Sequence, residues 1–227
     1  GLHAWTRWAD AHPTSSAYER YRNDNHISWS LAGLAAAAMA LNDKDLMNYV
    51  YEGTSYDDGY SGPYQNPSSL KTQLEHVIDS SGQLYDQPIR AAQHKGFFYG
   101  HFSLWALVMT ADIAERAGYP GLWHHRSPNG GSIMNALDYY APMVSGQQPL
   151  PDPDEKTDPG FFSFIYQLML NKRWLTPEQQ DLYRAAAGSS RRGRNIMQGP
   201  GQIDLLAQPD HNATTEVTPA TTSFPKH

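Results

Sequence analysis

Residues 27–41 run Ile27-Ser28-Trp29-Ser30-Leu31-Ala32-Gly33-Leu34-Ala35-Ala36-Ala37-Ala38-Met39-Ala40-Leu41, and this stretch decides the fold class. Alanine has the best helix propensity, and so many small side chains let a helix lie close against a neighbouring one. Asn42-Asp43 ends the run. Its apolar part, Leu31 to Leu41, is half alanine and far too short to cross a bilayer.

Working outward, the same pattern recurs. A short helix is expected from about Lys44 to Tyr51, followed by a Gly-, Tyr- and Asp-rich loop from Glu52 to Pro67 of the kind that lines a groove. Ser68 to about Ile78 reads as an amphipathic helix with Leu70, Leu74 and Val77 on one side. Ser80-Ser81-Gly82 to Pro88 reads as a second loop. The longest helix is expected from Ala91 or His94 to Ala117, closed by Gly118 and Pro120. Asn129-Gly130-Gly131 leads into a helix from about Ser132 to Tyr140, and an acidic, proline-rich loop (Pro149 to Pro159) separates it from Phe161 to Leu170. Thr176-Pro177-Glu178-Gln179 is a capping box opening a helix to about Ala187. No strand alternation is visible, so the chain reads as all-α, built from helical hairpins laid side by side.

Composition narrows the function. The 227 residues carry a net charge of −6, with 12% aromatic and only 18% charged residues. That aromatic share argues against a disordered chain, and the negative balance argues against nucleic acid as a partner. With no Cys there is no disulfide, thiolate nucleophile or Cys-ligated metal. Gly1 in place of Met reads as a processed product or a fragment. One sequon at Asn212-Ala213-Thr214 fits a secreted protein, and a secreted or periplasmic location is expected.

Two segments can carry chemistry. In Asn23-Asp24-Asn25-His26, the free N–H groups and dipole of the following helix favour an anion, with Asn25 and His26 as added donors. The competing reading makes Asn25 the N-cap and His26 a surface residue. The second segment, Arg90 to Phe102, holds Arg90, His94, Lys95, Tyr99 and His101. On one continuous helix Lys95 would share a face with Tyr99, and His94 with His101. A cationic, aromatic helix start suits a negatively charged ligand, and the bland alternative is a polar helix entrance with an ordinary aromatic at Tyr99. Asp57-Asp58 and Asp152/Asp154/Glu155/Asp158 lack EF-hand spacing, and His124-His125 lacks a third ligand. No metal site is therefore expected.

Taken together, these segments resemble the alginate-lyase-type polysaccharide lyases. Asn25-His26-Ile27-Ser28-Trp29 with its Ala-rich helix is similar to that family's Asn-His helix. Phe98-Tyr99-Gly100-His101-Phe102-Ser103-Leu104, running on to Glu115-Arg116-Ala117-Gly118, resembles its Tyr-bearing helix, and Asn135 to Pro142 resembles the helix after it. The likeness spans about Tyr18 to Ser145. It implies an (α/α) toroid and β-elimination on a uronic-acid polymer such as polymannuronate, alginate or glucuronan. Asn25, His26 and Arg90 would neutralise the C5 carboxylate, and Tyr99 would take the C5 proton and protonate the O4 leaving group. One group serves both steps where H5 and O4 lie on the same side, as in mannuronate and glucuronate; guluronate calls for a separate base, with His26 the candidate. His94, Lys95, His101 and Trp29 are expected to bind substrate. The implied chemistry needs no redox cofactor and no obligatory metal. The family places an Arg seven residues before its Tyr, where this chain has Ala92, so Arg90 must sit on the preceding loop or give way to Lys95 or His94.

The toroid is expected to be incomplete. Residues 1–188 would form the lyase-like domain, short of N-terminal hairpins that a second chain could supply, and residues 189–227 an extended tail. Expected partners are an acidic polysaccharide, with no nucleic acid and no membrane. Two other functions fit the same scaffold. One is a non-catalytic acidic-glycan-binding protein. The other is a glycoside hydrolase using Asp57 or Asp58 with Glu75, which would need two carboxylates across a cleft.

Overall fold

A computed structural model of the chain describes residues 23–57, 59 and 69–189. Among these are eight α-helices and no strand: α1 (Asn25–Leu41), α2 (Lys44–Glu52), α3 (Leu70–Val77), α4 (Asp86–Ile89), α5 (Gly96–Arg116), α6 (Ile133–Val144), α7 (Ser163–Met169) and α8 (Pro177–Gly188). The all-α expectation holds, and no described helix is long and apolar enough to cross a membrane. The expected tail, with the Asn212 sequon and the basic Arg191–Arg194 stretch, lies outside the described residues apart from its first residue, as do Asp58 and most of the loop before Pro67.

The helices form where small and apolar residues recur at helical spacing and end at residues that stop them. Asn42 caps α1 in the left-handed region at φ 52°, and Asp43 then caps α2 by accepting from Leu46 N at 2.9 Å. The capping box at Thr176 is present with both of its reciprocal bonds. α1 packs chiefly along α5, and α8 against α6 and α7. The small side chains Ala32, Ala35 and Ala38 are buried, as are Leu104, Leu107, Val108 and Ala111 of α5. Leu70, Leu74 and Val77 of α3 are fully buried, on the face expected of them. Phe162, Tyr166, Met169, Tyr183 and Ala186 join the same core, and Ala187 packs against it.

Three boundaries differ from expectation. The segment read as a loop before Pro88 contains α4, a single turn too short to show a period. α6 continues past Tyr140 through Pro142 to Val144, because burying Ala141, Met143 and Val144 outweighs the donor that proline removes. The longest helix starts at Gly96, five residues later than the earlier of its two expected starts, and that delay shapes the site.

Candidate active site

The site grows from the start of α1. Asp24, not Asn25, is the N-cap, and its Oδ1 accepts from His26 N at 2.9 Å. The helix tip expected to hold a ligand anion thus already holds a carboxylate of the chain itself, which corrects that expectation. Released from capping, Asn25 turns inward and donates from Nδ2 to Asp86 Oδ1 at 3.3 Å.

Asp86 is fully buried at the start of α4. Its Oδ2 accepts from Ser103 Oγ of α5 at 2.5 Å, and its Oδ1 faces Arg90 Nε at 3.7 Å. Burial pushes the Asp86 carboxyl above its ordinary range; the Ser103 hydrogen bond opposes that rise, and the nearby Asp24 charge adds to it. Stripping water from a carboxylate costs several kcal/mol, so such a group persists only where partners surround it. The Arg90 guanidinium then lies over the Tyr99 ring, 4.6 Å from its centroid. This is a cation–π contact of about 1 kcal/mol, more when dry. Asn25, Arg90 and Tyr99 are thereby joined around one acid that sequence reasoning missed. Its available signal was the i, i+4 spacing of Asp86 and Arg90.

The break before α5 lets Arg90 reach Tyr99. A continuous helix would point the two apart. Instead the chain makes a 3-10 turn over Ala91–Gln93, and His94 adopts the left-handed region at φ 53°. That conformation is uncommon outside glycine, with histidine among the residues that tolerate it better. Lys95 N then returns to Arg90 O at 3.3 Å. Gly96 and Gly100 let α5 close on its neighbours: a Cβ on Gly96 would strike the Gln87 carbonyl, and one on Gly100 would sit 2.6 Å from Tyr140 Oη. Glu155, from the loop after α6, caps α5 by accepting from Phe97 N at 2.9 Å and Phe98 N at 2.8 Å. The cationic helix start therefore already holds an acid of the chain, as the helix dipole favours.

The other expected residues divide. His26 is exposed, with Nδ1 3.0 Å from both Asp24 oxygens, so Nε2 is its free ring nitrogen. Trp29 is half-buried, its ring 4.9 Å from those of Phe102 and Trp105. His94 and Lys95 line an open groove of about 360 Å³ with Phe98, Lys156, Thr157 and Phe161. His94 also meets Asp152 at 2.8 Å. His101 is the correction: it lies in the core, 4.7 Å from the Phe162 ring and stacked on it, with no surface to offer a substrate. Burial pulls its pKa down to about 3. His94 and His101 share no face, because His94 precedes the helix.

The alternative chemistries find less. Asp57 is exposed and accepts from Gly59 N at 2.8 Å, and Glu75 is half-buried on α3. Among the described residues one group, His94, Asp152 and Asp154, has ligand atoms within 4.8 Å of one another. The Asp154 N–H and His94 already engage Asp152 and hold its carboxyl below the usual range. His124 rests edge-on against Trp174 at 4.7 Å, as a loop residue would.

Chemically, the cluster offers an amide and a guanidinium, each with N–H groups beyond those Asp86 faces, beside a phenol. Arg and amide donors together suit a carboxylate, and the phenol can exchange a proton. Neither the curated proteins nor the solved structures contain a match to the chain. The alginate lyase family model matches residues 2–150, which takes in Asn25, His26, Asp86, Arg90 and Tyr99. That is well over half of the 227 residues, and the chain belongs to the alginate lyase family.

Proposed function

We propose that the protein cleaves a polyuronate, such as polymannuronate, alginate or glucuronan, by β-elimination. Asn25, His26 and Arg90 neutralise the carboxylate at C5, which stabilises the charge that develops as the C5–H bond breaks. Tyr99, entering the step as phenolate, takes that proton, the C4–O4 bond breaks as the C4=C5 double bond forms, and the resulting phenol delivers the proton to the departing O4. Trp29, His94 and Lys95 are the proposed binding residues, the last two with Lys156 in the groove beside Phe98. The observation that carries this reading is the Arg90 guanidinium against the Tyr99 ring at 4.6 Å, with Asn25 tied to Arg90 through Asp86. The proposal includes a ring of helical hairpins of which the described helices form part, completed by further hairpins or a second chain, and a secreted or periplasmic location.

The test is a rise in ultraviolet absorbance from the unsaturated product on a panel of polymannuronate, polyguluronate and glucuronan. Polymannuronate or glucuronan is expected to react, since one phenol can serve both steps there. An intact fold that yields no chromophore on any of them overturns the reading. A second reading, a non-catalytic acidic-glycan-binding protein, draws on Asp24 and Glu155, which occupy the two helix starts where a substrate acid was expected. Binding without product would select it.

A further inference from the structure

Asp86 meets two of the three groups assigned to the substrate carboxylate, Asn25 and Arg90, and is itself sealed from solvent. Its Oδ1 accepts from Asn25 Nδ2 at 3.3 Å and faces Arg90 Nε at 3.7 Å, while Ser103 Oγ holds Oδ2 at 2.5 Å. An asparagine amide can present either its oxygen or its nitrogen, and a guanidinium can swing on its long stem. One carboxylate behind both settles each choice. It takes one N–H of Asn25, which fixes the amide with its nitrogen toward Asp86, and it draws Arg90 Nε inward, which leaves the guanidinium over the Tyr99 ring.

We infer that Asp86 is the positioning residue of this site, orienting the Asn25 amide and the Arg90 guanidinium for the substrate carboxylate, an inference that rests on the lyase reading above. Asp86 does not meet the substrate. The charged groups around it are Asp24 at the tip of α1 and Arg90 at the end of α4, and α5 contributes the neutral Ser103. The Asp24 charge makes an ionised Asp86 harder to keep, so Arg90, Asn25 and Ser103 must together hold it. Displacing reacting groups by about 1 Å can cost on the order of 10²-fold in rate.

The experiment compares the parent with Asp86→Asn and Ser103→Ala. Asn has the size of Asp and keeps an acceptor for the Asn25 amide, but it lacks the charge facing Arg90. With the folded fraction set by urea unfolding, kcat on the reactive polyuronate is expected to fall about 10- to 100-fold in Asp86→Asn. KM should move less than about threefold, because the oriented donors act on charge that develops in the transition state. Ser103→Ala, which frees the other carboxylate oxygen, is expected to lower kcat by several-fold and stands in if Asp86→Asn does not fold. A crystal structure of the folded variant should show the guanidinium off the Tyr99 ring. Parent-like kcat, or a loss fully explained by the unfolded fraction, overturns the positioning role. If the parent forms no product, the lyase reading fails, and Asp86 is judged by the crystal structures alone: an unmoved Arg90 and Asn25 overturn its role.

Discussion

Replacing Tyr99 by Phe removes one oxygen and little else. The ring keeps its contacts with the Arg90 guanidinium at 4.6 Å and with the Phe98 ring at 5.4 Å. Among the described residues no hydrogen bond reaches the Tyr99 hydroxyl, so the fold loses no partner with it. Unfolding free energy should therefore change by less than about 0.5 kcal/mol, as for substitutions away from buried networks. The rate is another matter. A positioned acid or base contributes about 10²–10⁴-fold, and in the proposed mechanism one group performs both transfers. A loss of at least about 10³ in kcat is expected, or about 4 kcal/mol of barrier. The assay is the ultraviolet absorbance of the unsaturated product, run beside urea unfolding of both proteins. Turnover within tenfold of the parent, at an equal urea midpoint, would remove Tyr99 from the proton transfer.

Two further perturbations probe the framework that holds the site. Glu155→Ala strips two charge-assisted bonds from the start of α5 and leaves Phe97 N buried without a partner, a loss of about 2–4 kcal/mol. Glu155→Gln should fall between, since its amide offers one acceptor oxygen for two N–H groups, and urea midpoints at constant m-value measure both. The buried His101 predicts an acid-sensitive fold. Above its ordinary 6.5 the imidazole is neutral in the folded and the unfolded chain alike, but from there down to about 3 only the unfolded chain takes up the proton. Stability should thus fall by up to about 1.4 kcal/mol for each pH unit below 6.5. His101→Phe, which keeps the ring packing, should flatten that dependence in urea unfolding at pH 7, 6 and 5; an unchanged slope would exclude His101 as its source.

The helices were legible because local chemistry decides them. An alanine-rich run, a capping box and a Gly–Pro stop act within a few residues of chain, and α1, α8 and the end of α5 follow them closely. Asn25, His26 and Tyr99 were legible as candidates for a related reason: a distinctive short motif marks each. α4 was not legible, since four residues carry no measurable period and their helix depends on neighbours. Caps that come from afar were also invisible. Glu155 reaches α5 from 57 and 58 residues away, and nothing in the acidic loop around it distinguishes it from its solvated neighbours Asp152 and Asp154.

What the order of amino acids determines by itself is therefore the helical class, most helix boundaries and the presence of the Asn-His and Tyr-bearing motifs. The tertiary structure alone decided which of them meet. A left-handed His94 and two glycines of α5 turn Arg90 back onto Tyr99, and burial converts His101 from a candidate contact into core. The physical reason is distance along the chain. Propensity and capping are settled by neighbours in sequence, whereas a buried charge such as Asp86 is tolerated only where Asn25, Arg90 and Ser103 are gathered from the start of α1, the end of α4 and the body of α5.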